Sequence, residues 1–179
     1  LLTTKVTGSE KAISSIRNMI KKDTIILCLQ NGLYSENVAK QIIGNKCLVL
    51  RAVTNFGAAF LEPGIIKYNN CSYTAIEKNK RSKDIAENFS RCGLNGYVSE
   101  NIKYDMWKKL TLNCILNPIT AILRIRNRDI ADKRLNPLKK LIMAECMEAA
   151  RRDGVTFDLD VDGLNEAFKN SLNISSMQQ

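Results

Sequence analysis

Two short apolar runs, separated by about one helix length, constrain the fold of this chain most strongly. Thr24 to Leu29 (TIILCL) and Cys47 to Val53 (CLVLRAV) are nearly continuous in apolar residues. Such runs are typical of strands buried on both faces of a parallel sheet. Between them, Ser35 is predicted to cap a helix that continues through Ile43 and ends at Gly44. The strand–helix–strand order predicts an α/β fold.

The same alternation of strand and helix is predicted from the first residue of the chain. Leu1 to Val6 is predicted to be a strand, and Ser9 is predicted to cap a helix over about Glu10 to Lys22. In parallel α/β sheets, ligands bind beyond the carboxyl ends of the strands. The predicted strand ends carry Lys5, Asn31 and the loop Asn55 to Ala58. We therefore expect a binding site along this edge, although a plain tight turn would also account for Asn31–Gly32.

The middle of the chain is predicted to extend the sheet. A turn at Glu62 to Gly64 leads into a predicted β-hairpin with strands 65–68 and 71–76. A helix opened by Ser82 and a last strand over Tyr97 to Glu100 follow.

After this strand the sequence changes from a mixed pattern to a nearly all-helical one. A loop is predicted over Arg124 to Asp129, and further helices are predicted from Asn136 and over about Val161 to Leu172. A domain boundary is therefore expected near Asn101, which divides the chain into domains 1–100 and 101–179 of an α/β plus all-α protein.

The stretch Asp105 to Thr120 combines helical length, apolar composition and a regular polar stripe. Lys109, Asn113 and Asn117 recur at a spacing of four residues, which places them on one face of a helix. A lysine and two amides in line would suit a small oxygen-rich ligand. The alternative is the solvated edge of an ordinary amphipathic helix. Pro118 is predicted to bend or end the helix directly after Asn117, and the apolar residues that follow it are predicted to continue the helical run.

Composition excludes several kinds of site. The chain has no histidine, so zinc-finger spacings and Ser-His-Asp catalysis are excluded, no metal is expected, and proton transfer falls to Lys, Asp, Glu or Tyr. Six cysteines without a CxxC pair fit free thiols in a reducing cytoplasm. The net charge of +9 is scattered, which disfavours nucleic-acid binding. No apolar run is long enough to span a bilayer, so no membrane partner is expected.

Several stretches of the sequence, in order along nearly the whole chain, resemble the ketopantoate reductase (2-dehydropantoate 2-reductase) family. They are LLTTKV, LQNGL, TNFGA, EPG, WKKLTLNCILNPITAI, RNRDI and NISSMQ, of which the long run from Trp107 is the most specific. The resemblance implies an NADPH-dependent enzyme of pantothenate and coenzyme A biosynthesis with its site in a cleft between two domains. One would be a Rossmann-type dinucleotide-binding domain. The other would be a helical domain like the C-terminal domain of 6-phosphogluconate dehydrogenase.

The resemblance also implies roles for individual residues. Lys109 matches the catalytic lysine of the family, a general acid that protonates the ketone oxygen. The residues implied to bind the substrate, 2-dehydropantoate, are Asn31, Asn113, Asn117, Asn127 and Ser176. Those implied to contact NADP are Lys5, Asn31 and Ala58. A cytoplasmic protein is expected, and a homodimer is left open.

Two family features do not occur in this sequence. The glycine-rich phosphate loop, expected within about two βα units before Leu1, is missing, as is an acidic residue expected after the Ser175–Ser176–Met177 segment. The chain is therefore expected to be a fragment, with a partial Rossmann domain and a truncated helical domain. Two other interpretations stay open: a related dehydrogenase for another 2-oxo acid or an opine-type substrate, and a non-catalytic basic binding module.

Without its phosphate loop, the 179-residue chain alone is predicted to bind NADPH poorly, while the full-length protein is an active reductase. The physical reason is that the glycine-rich loop and the helix that follows it supply the amide groups that hold the pyrophosphate. Isothermal titration of NADPH into the isolated chain measures this, and micromolar affinity would contradict the prediction.

Overall fold

A four-stranded mixed sheet organises the first half of the chain. The structure, a computed structural model, describes residues 1–171. The strands are β1 (Ile25–Cys28), β2 (Leu48–Glu62), β3 (Ile65–Glu77) and β4 (Gly96–Ser99), in the order β1-β2-β3-β4. β1 pairs parallel with β2 and β3 pairs parallel with β4, whereas β2 and β3 are antiparallel. The predicted Ser176 lies outside the described residues.

Helices cover both faces of this sheet. Ile26 and Cys28 of β1 pack in one core with residues of α1 (Ser9–Ile16) and α2 (Ser35–Ile43). Leu27, which points to the opposite face, packs with Leu50 and with Ala86 of α3 (Ser82–Arg91). Two-sided burial explains why the apolar run is continuous rather than alternating. The predicted unit of β1, α2 and β2 is confirmed.

The start of the chain is less regular than predicted. Instead of a strand over residues 1–6, only Leu2 forms a bridge, pairing parallel with Cys28. A 3₁₀ turn, Val6–Gly8, follows, and α1 ends at Ile16.

Both serines predicted as helix caps are the first residues of their helices. Their hydroxyls accept hydrogen bonds from distant side chains instead: Ser9 from Gln30, and Ser35 from Arg51. Because each serine is buried beside such a donor, its oxygen satisfies that donor rather than the local helix end.

The hairpin of the structure joins β2 to β3, contrary to the prediction. The segment Asn55 to Ala58, predicted as a loop, lies within β2, and the predicted strands 65–68 and 71–76 are parts of one long strand, β3. The two strands pair around the turn at Pro63–Gly64, with register shifts at three places. Cross-strand pairing, including that of Gly57 with Asn70, outweighs the local turn preference of Asn69–Asn70.

Helix α4 (Ile102–Leu123) begins in a first compact unit, Leu1–Met106, and continues into a second unit that starts at Trp107. Its start is held within the first unit: Asn101 Oδ1 accepts from Tyr104 N at 3.2 Å. Asp105 accepts hydrogen bonds from Tyr97 and Ser99, at the end of β4.

Pro118 does not end α4, which continues to Leu123, as the apolar run after the proline predicted. A proline cannot donate the backbone hydrogen bond that its position requires, and it strains the preceding turn. Ile115, Leu116 and Ile119 are buried in the core of the second unit, and their packing outweighs this local cost. The hydroxyl of Thr120 donates to the carbonyl of Leu116 at 2.7 Å in the same turn.

The second unit is helical. α5 (Asn136–Arg152) and α6 (Val161–Phe168) follow α4, and the predicted loop 124–129 is in part a 3₁₀ turn, Asn127–Ala131. Their buried apolar residues form one core: Ile115, Leu116, Ile119, Ile130, Met143, Val161 and Leu164. Trp107 Nε1 donates to Asp153 Oδ2 at 2.8 Å and joins α4 to the end of α5. Within the described part of the chain, no helix has the length and apolarity needed to cross a membrane.

A fully buried lysine lies inside the second unit. Lys139 of α5 has 0% of its surface exposed. Its ammonium group donates to the carbonyl of Ile130 at 2.6 Å and to Asn165 Oδ1 at 2.5 Å. Burial lowers the pKa of Lys139, and the nearby Asp132 offsets part of that effect. The lysine thereby ties α5 to α6 and to the Asn127–Ala131 turn.

Replacing this lysine should cost much more stability than replacing its neighbour. Lys139→Met leaves the buried carbonyl of Ile130 and the partly buried side-chain oxygen of Asn165 without this donor, so we expect the free energy of unfolding to fall by about 2–4 kcal/mol. Lys140→Met, at an exposed position of the same helix, is the matched control and should change it by about 0.5 kcal/mol or less. Urea unfolding followed by circular dichroism gives both values, and equal losses would contradict the structural role of Lys139.

Candidate functional site

Lys5 and Asn31 follow two neighbouring segments of the first unit that run parallel. Leu2 N donates to Leu27 O at 2.8 Å and Leu29 N donates to Leu2 O at 3.0 Å, so both segments end at the same edge of the sheet. The buried side chain of Gln30 joins them, because its Nε2 donates to Thr4 O at 2.9 Å. Lys5 and Asn31 are both exposed beside this contact. The structure therefore brings these two predicted site residues to one edge.

Ala58 lies apart from that edge. It is on the part of β2 that continues beyond the β1 pairing, where it pairs with Tyr68 of β3. Arg51 is the last β2 residue paired with β1, and Ala58 comes seven positions later. At about 3.3 Å per residue, this distance is roughly 20 Å along the strand. Ala58 is thus a residue of the hairpin and not of a loop at the strand ends.

The polar stripe of α4 has an unusual setting for a surface helix. Lys109, Asn113 and Asn117 are all half-buried, while Ile115 and Ile119 on the other side are buried. Between residues 102 and 121, every side chain of this helix is buried or half-buried. The solvated edge of an amphipathic helix would expose its polar residues. The observed burial weighs against that alternative and favours a polar face directed toward other groups.

Asn127 lies at the start of the 3₁₀ turn Asn127–Ala131 and is only 6% exposed. Its side-chain oxygen, Oδ1, is buried and accepts no hydrogen bond from any residue that the structure describes. Leaving such an acceptor unpaired costs about 1–3 kcal/mol. An amide retained at this cost is a candidate for binding a hydroxyl or ammonium donor of a ligand.

Two of the cysteines, one buried and one half-buried, are poor nucleophiles at neutral pH. Burial raises the pKa of the Cys28 thiol to about 11, although the charge of Arg51 acts in the opposite direction. Burial and the adjacent Cys114 raise the pKa of Cys146 to about 11 as well. Because the thiolate is the reactive form, both groups are inert near pH 7. All six cysteines, which lie within residues 1–171, are free thiols.

A surface depression of about 520 Å³ in the second unit contains none of the predicted site residues. Its lining includes Asp132 and Arg134, which pair with each other at 2.6 Å. Hydrogen bonds from Arg134 hold the pKa of Asp132 at about 2, so this carboxylate is already satisfied. The charged side chains Asp132 and Arg134 of the depression are therefore paired with each other and do not indicate a ligand site.

Gln30 and Arg51 contribute to the sheet edge but were not predicted as site residues. Arg51 is the one charged residue in the apolar run 47–53. A charge inside an apolar strand is a signal of a special role, because its burial is costly unless it is paired. The sequence around Gln30 and Arg51 does not show which groups these side chains bind.

Comparisons with known proteins agree with this architecture. A sequence profile described as Ketopantoate reductase PanE/ApbA matches residues 1–81, and a second, described as Ketopantoate reductase PanE/ApbA C terminal, matches residues 101–179. The chain is 31% identical to the 2-dehydropantoate 2-reductase of Pyrococcus horikoshii over 165 residues, which are 89% of this chain and 54% of that protein. The chain thus spans about half the length of the curated relatives it matches.

Solved structures show the same fold. A ketopantoate reductase from Ralstonia eutropha has a TM-score of 0.83 at 23% identity, over 98% of this chain and 59% of that one. A D-mandelate dehydrogenase bound to NADH and anilino(oxo)acetate has a TM-score of 0.83 at 25% identity, over 99% of this chain and 60% of that one.

The helix-covered sheet and the helical second unit define a protein with a Rossmann-type fold and an all-helical part, as predicted. Two profiles of one family together match most of the chain. The chain belongs to the ketopantoate reductase family.

Because the side-chain oxygen of Asn127 accepts no hydrogen bond from the described residues, we predict that it contributes little to the stability of the fold. Asn127→Leu should change the free energy of unfolding by less than about 1 kcal/mol, or raise it, because the variant removes an unsatisfied acceptor. As a control, Asn101→Ala removes a side chain that does cap a helix and should cost about 1 kcal/mol. Urea unfolding measures both, and a loss of about 2 kcal/mol or more for Asn127→Leu would show a structural role instead.

Proposed function

We propose that the full-length protein containing this chain reduces 2-dehydropantoate to pantoate with NADPH, a step of pantothenate and coenzyme A biosynthesis. The observation that carries the proposal is the half-buried stripe of Lys109, Asn113 and Asn117 on α4. It combines a proton donor with two amides on a helix that has no exposed side chain between residues 102 and 121. Membership of the ketopantoate reductase family supports the choice of substrate.

Lys109 is proposed to act as the general acid. Reduction of a ketone places negative charge on its oxygen, and an ammonium group can stabilise that charge and then donate a proton to it. Bound NADPH would supply the hydride. The neighbouring amides of Asn113 and Asn117, one and two turns along the helix, would hold the hydroxyl and the carboxylate of the substrate. Asn127, Asn31 and Ser176 are proposed as further substrate contacts.

The first unit is proposed to be part of the cofactor-binding domain. Lys5 and Asn31 lie exposed at the carboxyl edge of the sheet, where Rossmann-type proteins bind their dinucleotides. A lysine there suits a phosphate-bearing cofactor, and Ala58 is proposed as an additional contact. The D-mandelate dehydrogenase relative binds NADH, so NADP rather than NAD remains part of the proposal. Comparing the rates with NADPH and with NADH decides between them.

The domain roles follow from the same argument. Residues 1–100 are proposed to belong to the dinucleotide-binding domain and residues 101–179 to the helical substrate domain. Six free thiols would persist in a reducing compartment, which supports a cytoplasmic location. A homodimer stays a prediction, which light scattering of the full-length protein would test.

A related dehydrogenase acting on another 2-oxo acid is the second candidate. It is favoured by the similarity to the D-mandelate dehydrogenase structure, which holds anilino(oxo)acetate. Apolar pocket walls distinguish acyl chains by only about 1–3 kcal/mol per methylene, and a Lys-Asn-Asn stripe would accept either substrate. Steady-state kcat/KM values on 2-dehydropantoate, 2-oxoisovalerate and phenylglyoxylate separate the two candidates. The substrate with the highest value identifies the class.

Removing the ammonium group of Lys109 should strongly reduce turnover but preserve the fold. Lys109→Met is expected to lower kcat by about 10²- to 10⁴-fold, the usual contribution of a general acid. Lys108→Met serves as the matched control, since its side chain points about 100° away around the helix. Full-length variants are compared by steady-state kinetics and circular dichroism. Near-normal kcat in a folded Lys109→Met protein would exclude the proton-donor role.

A further inference from the structure

A buried arginine lies beneath the turn that carries Asn31. Arg51 of β2 is 3% exposed, and its guanidinium is surrounded by the end of β1 and the start of α2. Its Nη2 atom donates to the carbonyl of Gln30 at 2.5 Å and to the carbonyl of Gly32 at 2.8 Å. Its Nη1 atom donates to the hydroxyl of Ser35. The arginine thus donates hydrogen bonds to backbone carbonyls on both sides of Asn31.

Two carbonyl contacts of this kind restrict the orientation of the residue between them. The carbonyl of Gln30 belongs to the peptide plane before Asn31, and that of Gly32 lies just after the peptide plane that follows Asn31. Gly32 has a φ of +91°, a conformation in which glycine is strongly favoured. Because one nitrogen atom holds a carbonyl before Asn31 and a carbonyl after it, Arg51 restricts the backbone of the turn that carries Asn31.

The ordinary alternative is a buried ion pair that merely stabilises the fold. Glu36 is the nearest carboxylate partner, but its Oε2 atom lies 3.9 Å from Arg51 Nε and neither atom makes a hydrogen bond to the described residues. The backbone carbonyls are closer by more than 1 Å. The guanidinium is therefore placed to hold the turn rather than to complete the ion pair.

The same turn is also held from its other side. Gln30, one residue before Asn31, donates through Nε2 to Thr4 O at 2.9 Å and to Ser9 Oγ at 2.7 Å. Thr4 directly precedes Lys5. Arg51 therefore fixes a turn that is joined to the segment of Lys5, and both predicted cofactor contacts at this edge depend on one buried network.

Burying this charge has a cost that a merely structural residue would avoid. Burial lowers the pKa of Arg51, and the attraction of Glu36 offsets only part of that effect. Its neighbours in β2, Leu50 and Ala52, are buried and apolar. Replacing buried charged groups by apolar ones is often neutral or stabilising for a fold.

We propose that Arg51 is a positioning residue that orients Asn31 for cofactor and substrate binding through the carbonyls of Gln30 and Gly32. This inference rests on the proposed function for the role of Asn31. That Arg51 orders the turn is independent of the proposed function.

A double-mutant cycle in the full-length protein tests the coupling. Arg51→Met should lower kcat/KM by about 10- to 100-fold, since small misplacements of a binding group have effects of this size. Asn31→Ala should cause a similar loss. If Arg51 acts through Asn31, the kcat/KM of the double variant should lie within about 3-fold of that of the less active single variant. If the two residues act independently, their fold losses in kcat/KM multiply. Multiplying losses would overturn the proposal.

A control separates positioning from loss of stability. Ile76→Ala creates a cavity in the core of the same unit, at a residue that is fully buried in β3. It should lower the thermal midpoint while leaving kcat/KM within about 3-fold of the native value. If Ile76→Ala reduces kcat/KM as much as Arg51→Met at the same loss of midpoint, the effect of Arg51 is only structural and the proposal fails.

Arg51→Lys keeps the experiment decisive if Arg51→Met does not fold. Lysine retains the charge but lacks the planar fork that reaches three acceptors at once. Most of the loss in kcat/KM should therefore persist in this variant. Full activity of Arg51→Lys would show that charge alone is sufficient and would overturn the proposal.

Hydrogen–deuterium exchange distinguishes failure of this inference from failure of the proposed function. Peptides covering residues 30–33 should exchange faster in Arg51→Lys than in the native protein, while peptides of α3 stay unchanged. If the native protein reduces no 2-oxo acid but this local increase occurs, the proposed function fails and the ordering of the turn stands. Unchanged exchange at 30–33 would overturn the inference whatever the activity.

Discussion

Burial of β1 and the start of β2 on both faces is the constraint on which the first unit depends. Alternate residues of β1 point to opposite cores, Ile26 and Cys28 to one and Leu27 to the other. Each buried aliphatic side chain contributes about 1.5–3 kcal/mol, so both faces must be covered by helices. The chain then has to turn at the strand ends, where backbone groups leave the sheet and need other partners. Polar residues gather at that edge for this reason.

Buried cations satisfy some of these backbone groups in both units. Arg51 donates to carbonyls beside Asn31, and Lys139 donates to a carbonyl of the turn that begins with Asn127. In each case burial lowers the pKa of the cation, and nearby carboxylates offset part of that effect. A multivalent donor can hold an irregular turn that neither a helix nor a sheet supports. Both turns carry a residue of the proposed site.

The sequence predicted the regular parts of the fold well. The apolar runs identified β1 and the start of β2, and the helix between them was placed correctly because apolar periodicity and Gly44 agree. Prediction failed where long-range pairing opposes local preference. Asn69–Asn70 is a good turn dipeptide that the partner strand holds extended. Of the two outcomes predicted for Pro118, a bend or an end of the helix, the end does not occur, because core packing keeps the proline inside α4. The strand predicted over residues 1–6 has only one paired residue, Leu2.

By itself, the sequence determined the fold class, the polar stripe of Lys109, Asn113 and Asn117, and the absence of histidine chemistry. These features depend on periodicity and composition, which act over a few residues. Only the tertiary structure decided that α4 has no exposed face between residues 102 and 121, and that Ala58 belongs to a hairpin. It also decided that Arg51 holds the turn of Asn31, twenty residues earlier in the chain. Such contacts arise from the packing of segments far apart in sequence, which no local pattern encodes.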